Sequence, residues 1–283
     1  MSRQLEVKDL KNIVAIQGIK GSFHHRVAQE FFGEEVEVVE CRSFTDVVKS
    51  LITGESTDAV MAIENNIAGS IIPNYALIDE YDLNIEGEVY LPIVQNLMAL
   101  PGQSMDDIEE VWSHPMALLQ CREFFKKYPH LKLVEVDDTA GAAKSISEDG
   151  KKKVAAIASE TAAKIYGMDI LADDIQTMKD NSTRFFILNN NGRVENGTRD
   201  KATIKFLTQH KRGSLAAVLN VMSDCRLNLT KIQSLPVVDK PWVYAFFVDV
   251  TFKRYTHFEK AKQLLGIMAK NFEVLGEYKN RKS

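Results

Sequence analysis

Along the chain, short runs of consecutive apolar residues alternate with stretches in which apolar residues recur every three or four positions. The first kind predicts buried strands and the second amphipathic helices. Ile13–Gln17, Val36–Cys41 and Asp58–Ile63 are strand-like; His24–Phe32 and the segment from Ser43 through Ile52 carry helical spacing between them. Ser43 is placed to cap the second helix and Gly54 to close it. A further helix is predicted over Ile72–Tyr81. The rhythm then restarts. Asn96–Leu100, Glu110–Ser113, Leu131–Val136 and Val154–Ala158 predict strands, with a long amphipathic helix from Pro115 to Tyr128 and shorter ones over Thr139–Ser147 and Thr161–Tyr166. Arg184–Leu188 is the last strand of this body. Strands alternating with helices predict a mostly parallel sheet with β–α–β crossovers. The restart predicts two α/β lobes, roughly 12–92 with 178–190 and 93–177, the chain returning to the first lobe after about Thr177. Such bodies bind ligands in the cleft between lobes, at the carboxyl ends of strands.

Asn189–Asp200 is polar and carries Asn-Gly twice. It marks a linker, placed at 193–200 between a body over 1–192 and a second unit over 201–283. In that unit the order is strand Ala202–Thr208, helix Ser214–Cys225, strands Asn228–Val238 and Trp242–Phe252, helix Phe258–Lys270 and strand Phe272–Tyr278. This βαββαβ order predicts a ferredoxin-like domain: a four-stranded antiparallel sheet with two helices on one face.

Composition narrows the classes. The 283 residues are 45% hydrophobic and 26% charged, enough for two packed cores. The formal net charge is −4 and no basic stripe runs along the chain; Lys151–Lys153, between Gly150 and Val154, is a solvated loop. No nucleic-acid partner is expected. Cys41, Cys121 and Cys225 are far apart, without CxxC or Cys/His ligand spacing, so neither a disulfide framework nor a metal site is indicated. Met1–Lys11 is charged and lacks an apolar signal core, and no apolar run is long enough to span a bilayer. The expectation is a cytoplasmic protein with no membrane partner.

Polar clusters fall at predicted strand ends and helix starts, where backbone N–H groups favour anions. Gly18–His24 joins the first strand to the first helix and fits a tight turn or an anion cradle. Ile63–Ser70 places three consecutive polar residues, Glu64, Asn65 and Asn66, and then Gly69-Ser70, after an apolar strand. Ser113 fits an N-cap with Pro115 at the first helical position. Asp138–Gly141 is a similar helix start. Asn181–Phe185 carries Arg184 into an apolar strand, where a guanidinium needs an anionic partner, from a ligand or from a structural carboxylate.

These clusters, in order, resemble the prephenate dehydratase family from about Ile13 to Leu188: G-x-x-G-S-F at Gly18–Phe23, A-I-E-N-N-x-x-G-S-I at Ala62–Ile71, S-H-P-M-A-L-L-Q-C at Ser113–Cys121, D-T-A-x-A-A at Asp138–Ala143 and N-S-T-R-F at Asn181–Phe185. Gly213–Leu215, Asn228–Ile232 and Ser234–Pro236 resemble the family's ACT-type regulatory domain. There are departures. Phe23-His24 replaces the family's Tyr-Ser or Tyr-Thr, Asn66 replaces a serine, and Gln233-Ser234-Leu235-Pro236 replaces Glu-Ser-Arg-Pro.

The resemblance implies a monofunctional dehydratase with a periplasmic-binding-protein-like, two-lobed catalytic domain. Its reaction would be the decarboxylative dehydration of prephenate to phenylpyruvate in L-phenylalanine biosynthesis, with feedback by L-phenylalanine in a homodimer or homotetramer. Expelling carbon dioxide and water makes an aromatic ring, so no cofactor or metal is expected. In this picture Arg184 anchors a substrate carboxylate as a planar fork. Backbone donors at Gly21, Gly69 and Thr139 meet the second carboxylate. Thr183 bonds the leaving hydroxyl, and His114 is the proton source, with His24 a weaker alternative. Phe185 shapes an apolar wall. Glu64 organises Arg184 or loop donors, since a bare carboxylate would repel a dianion. Asn65, Asn66, Ser70, Ser113 and Asn181 complete the substrate set. Gly213, Ser214 and Leu215 would bind the effector's carboxylate, with Asn228, Leu229, Gln233, Ser234, Leu235 and Pro236 facing it across a dimer. An arogenate dehydratase and a non-catalytic amino-acid- or solute-binding protein are the alternatives. The absence of a signal sequence and of a DNA-binding segment, with Thr183-Arg184-Phe185, favours the enzyme.

Overall fold

The computed structural model describes residues 12–194, 197–208, 211–237 and 242–282. The charged stretch Met1–Lys11, part of the expected linker and the end of the strand expected to reach Val238 lie outside them. In chain order the elements are β1 (Ile13–Gln17), α1 (Phe23–Phe32), β2 (Glu37–Cys41), α2 (Phe44–Thr53), β3 (Asp58–Asn65), β4 (Gly69–Ser70), α3 (Ile72–Glu80), β5 (Asn84–Pro92), β6 (Asn96–Ala99), β7 (Glu110–Ser113), α4 (Pro115–Gln120), α5 (Arg122–Phe125), β8 (Lys132–Glu135), α6 (Thr139–Glu148), β9 (Val154–Ala158), α7 (Glu160–Tyr166), β10 (Asp169–Ala172) and β11 (Ser182–Asn189). They continue with β12 (Lys201–Leu207), α8 (Ser214–Asp224), β13 (Asn228–Pro236), β14 (Tyr244–Thr251), α9 (Tyr255–Met268) and β15 (Lys270–Tyr278).

Serine or aspartate side chains cap four of these helices. Ser22, Ser43, Asp138 and Ser159 accept from the amides of His25 (3.2 Å), Asp46 (3.2 Å), Gly141 (2.6 Å) and Ala162 (3.0 Å). Each such cap stabilises its helix by about 1 kcal/mol. Gly54 closes α2 at φ +77°, in the left-handed region that glycine adopts most readily. The long helix expected from Pro115 to Tyr128 is broken. Cys121, fully buried at φ −97° and ψ 8°, ends α4, and the short α5 follows. Backbone bonds from Cys121 to Ala117 and from Phe124 to Cys121 turn the chain so that Leu118, Cys121 and Phe125 all enter one core. The cap of α4 is His114, not Ser113.

The fold is α/β. One sheet has the order β2-β1-β3-β11-β5, with β4 beside β3; the second has the order β10-β6-β9-β7-β8. β1 runs parallel to β2 and β3, and β7 runs parallel to β8 and β9. β6 pairs antiparallel with β9 and β10, so this sheet is mixed where a mostly parallel one was expected. The third sheet, β13-β14-β12-β15, is wholly antiparallel and fulfils the βαββαβ expectation. Its core joins Ile204, Phe206 and Val248 to Val218 and Met222 of α8 and Phe258 and Leu265 of α9.

The chain forms two compact units. The first comprises the described residues through Met61, Asn65–Gly69 and Leu91–Thr183. The second comprises Ala62–Glu64, Ser70–Tyr90 and the described residues from Arg184 onward. Within the second, Gly276 on β15 packs so closely on the Ile85 carbonyl of β5 that a Cβ would overlap it. Among the described residues no helix is long and apolar enough to cross a membrane, and all three cysteines are free and buried.

Candidate active site

In the first unit, Asn65 organises the polar motif after β3. Its amide nitrogen donates to the Asn181 side-chain oxygen (2.7 Å), the Ser182 carbonyl (3.2 Å) and the Thr183 hydroxyl (3.0 Å). Its amide oxygen accepts from the backbone of Ile67 (3.0 Å) and Ala68 (2.8 Å). Asn66 adds a second clamp: its side-chain oxygen accepts from Ser182 N (2.9 Å) and its amide nitrogen donates to the Asp180 carbonyl. Two consecutive asparagines thus hold the strand that carries Thr183. Asn65, Asn66, Asn181 and Thr183 are brought together here.

Asn181 also lines a cavity of about 570 Å³ with Ile67, Ala68, Met116, Gln120, Arg122 and Met178. Asn181 is 2% exposed, and its amide nitrogen has no hydrogen-bond partner among the described residues. A buried donor without an acceptor is expensive and marks a place for a ligand atom or water. Gln120 and Arg122 were not among the expected site residues. Gln120 accepts from Gln95 (3.3 Å). Their only sequence signal was position: Gln120 stands near the end of the S-H-P-M-A-L-L-Q-C motif and Arg122 directly follows it.

Other expected residues have different duties. Gly21 does not offer its N–H to a ligand; that group donates to His25 Nδ1 (3.1 Å), and its carbonyl accepts from Ser159 Oγ (2.6 Å). Its φ of +91° and the 3.0 Å from a built Cβ to Ala162 Cα explain the glycine by close packing. Gly69 lies in the short β4 and not at a helix start. Ser113 Oγ is buried and donates to the Ile157 carbonyl (2.7 Å). Thr139 opens α6 behind the Asp138 cap. Burial raises the Asp138 carboxyl above its ordinary value, against the Gly141 and Ala140 amides and the charge of His114. His114 is exposed and its Nδ1 accepts from Met116 N (3.2 Å), which leaves Nε2 as the nitrogen that can carry a transferable proton.

His24 is corrected as a proton source. It is 8% exposed against the Phe44 ring, and burial lowers its pKa from 6.5 to about 3, so it is neutral in the working range. This shift makes a stability prediction. Between pH 6.5 and about 3 the unfolded chain binds a proton at His24 that the folded chain does not. Stability at this residue therefore falls by about 1.4 kcal/mol per pH unit on acidification. Denaturant titrations across this range are expected to show a shallower slope for His24→Gln; an identical slope would overturn the assignment.

In the second unit, Arg184 is not an open fork for substrate. Nε donates to Glu88 (2.7 Å), Nη1 to Asp249 and Nη2 to Tyr278 OH (3.1 Å). The guanidinium lies 4.7 Å from the Phe186 ring centroid, and its side chain is 3% exposed. Lys201 donates to both oxygens of Glu88 (2.8 Å each), and Thr203 to Asp249 (2.6 Å). Two cations and two carboxylates close on each other, so Arg184 finds its anion inside the protein. Phe185 is buried core at 1% exposure. Glu64 pairs with Lys231 (2.7 Å), not with Arg184, and the same ammonium donates to Ser70 Oγ (2.8 Å).

The third sheet carries its own cavity of about 670 Å³, lined by Gly213, Ser214, Leu215, Leu219, Trp242 and Tyr244 among others. Gly213 has φ +81° and opens α8 without a side-chain cap. Asn228, Leu229, Gln233, Ser234, Leu235 and Pro236 lie on β13 and not in this lining. Leu235 is buried, 7% exposed. Gln233 donates to the Ser234 carbonyl (3.0 Å).

The prephenate dehydratase family model matches residues 14–193. A bifunctional chorismate mutase/prephenate dehydratase of Aquifex aeolicus (strain VF5) is 36% identical over 267 residues, covering 94% of this chain and 73% of that protein. Among solved structures, the prephenate dehydratase of Arthrobacter aurescens in complex with L-Phe aligns with a TM-score of 0.83 at 26% identity, over 95% of this chain and 90% of that one. GqqA, described as a novel type of quorum quenching acylase, aligns with the same TM-score and identity over 94% of this chain and 97% of that one. Motif order, the asparagine-held threonine strand and these likenesses converge: the chain belongs to the prephenate dehydratase family of carbon–oxygen lyases.

Proposed function

We propose that this chain converts prephenate to phenylpyruvate in L-phenylalanine biosynthesis, under feedback by L-phenylalanine. The observation that carries the reading is Asn65 holding the Thr183 hydroxyl and Asn181 together, with Asn181 lining a cavity and keeping one donor open. The ring carboxylate leaves as carbon dioxide, its bonding electrons enter the ring, and the ring C–O bond breaks. One proton delivered to the departing oxygen completes water. Thr183 accepts from Asn65, so its own proton is free to point at that oxygen. His114 Nε2 is the candidate to replenish it. With Arg184 closed off, Arg122 is the guanidinium that lines the cavity, and it suits a substrate carboxylate.

The L-Phe complex of the Arthrobacter aurescens relative supports the regulatory half. The cavity at Gly213–Leu215 offers backbone donors at a helix start, and β13, an edge strand, offers an unpaired side on which a second copy can assemble. Purified protein should be assayed with prephenate and with arogenate, with and without L-Phe. Phenylpyruvate from prephenate, suppressed by L-Phe, is expected; Arg122→Met should raise KM about tenfold or more, the usual scale for losing a charged hydrogen bond. Absence of phenylpyruvate would overturn the reading, and turnover of arogenate alone would replace it.

A further inference from the structure

Lys231 sits on β13, two residues before Gln233, yet its ammonium is engaged elsewhere in the second unit. It lies 2.7 Å from Glu64 Oε1 and 2.8 Å from Ser70 Oγ. Its side chain is 13% exposed, and that of Glu64 is 34% exposed. Glu64 and Ser70 bracket the segment whose Asn65 holds Thr183. One ammonium from the C-terminal sheet therefore grips both ends of the candidate substrate motif.

Two physical consequences follow. A partly exposed ion pair of this kind adds little to folding stability, because water screens it. Its charge matters more. If the substrate is a dianion, an uncompensated carboxylate at Glu64, next in the chain to Asn65, adds repulsion, and Lys231 cancels that charge. The second consequence is mechanical. Side chains two apart on a strand share a face, so Lys231 and Gln233 lie on one side of β13. A change in β13, such as assembly of a second copy on this edge strand, moves the ammonium that holds Glu64 and Ser70.

We propose that Lys231 is a positioning residue for the dehydratase site, acting through Glu64 and Ser70, and that it transmits the state of β13 to that site. The proposal rests on the prephenate reading above and adds to it the residue through which regulation acts.

Full-length wild type, Lys231→Met, Lys231→Arg, Glu64→Gln and the double variant Lys231→Met/Glu64→Gln would be compared by steady-state kinetics, thermal melting and L-Phe calorimetry. Lys231→Met is expected to raise KM for prephenate by about tenfold, with a smaller change in kcat and little change in Tm. Lys231→Arg should restore most of the loss, since it keeps the charge. In the Glu64→Gln background the same Lys231→Met change should alter KM less than about threefold, because the charge it compensates is gone. L-Phe should still bind Lys231→Met, while its effect on activity shrinks. Unchanged KM in Lys231→Met, or the same KM increment in both backgrounds, would overturn the proposal. Wild type inactive on prephenate would instead mark the failure of the functional reading, so the two are told apart.

Discussion

Thr183→Ala is expected to lower kcat by about 10²–10⁴-fold while KM changes little. Thr183 is 8% exposed and accepts from the Asn65 amide at 3.0 Å. That bond fixes the hydroxyl oxygen and withdraws electron density from it, which leaves its proton as the donor. In the proposed reaction its partner would be the departing ring oxygen, which gains charge only as the C–O bond breaks, so the interaction would strengthen in the transition state and its loss would fall on kcat. Thr183→Ser keeps the hydroxyl and should retain most activity. Steady-state kinetics of folded variants decide this; a Thr183→Ala enzyme with kcat near wild type would remove the residue from the mechanism.

The second large effect belongs to the buried charges around Arg184. Asp249→Asn should destabilise the protein by about 3–5 kcal/mol, the scale for removing one partner of a buried ion pair. Asp249 is 2% exposed and bonded to Arg184 and Thr203, while Tyr278 OH lies 2.6 Å from Thr203 Oγ1. Neutralising it leaves Arg184 and Lys201 facing Glu88 alone. Burial alone would raise the Asp249 carboxyl, but the Arg184 charge beside it holds it below its ordinary value. A depressed carboxyl stabilises the fold above its unfolded pKa, about 3.9, and that stability is lost as pH falls through the folded value. Asp249→Asn should therefore narrow the gap to wild type in acid. Urea denaturation at neutral pH and below pH 4 tests both parts; a loss under about 1 kcal/mol at neutral pH would show that the cluster does not hold the unit together. By the same geometry Arg184→Lys should act first on stability, since a point charge cannot bridge Glu88, Asp249 and Tyr278 at once.

Much of the secondary structure was legible because burial imposes a period on the residues that line a core. β1, β7 and β9 match the predicted runs residue for residue, and Ser43 and Gly54 bound α2 as their chemistry dictates. The βαββαβ unit could be predicted for the same reason. β5 was invisible because Glu86, Gly87 and Glu88 interrupt its apolar run. Both glutamates are buried only because Arg193 meets the first and Arg184 and Lys201 the second, partners more than ninety residues distant. No local pattern encodes a charge neutralised from that far along the chain.

The same distinction runs through the site. The residue types of the motifs could be read one after another, and Asn65, Asn66, Asn181 and Thr183 do meet in the structure. Which donor faces which acceptor could not. A lone arginine entering a strand demands an anion, and its sequence neighbours cannot say whether that anion is a ligand or a carboxylate of the protein. Folding brings Glu88 and Asp249 to Arg184, Lys231 to Glu64, and the Gly21 amide to His25. Periodicity and capping are local and survive in the order of residues, whereas the pairing of charges and the placing of single protons depend on three-dimensional neighbours, which only the tertiary structure decides.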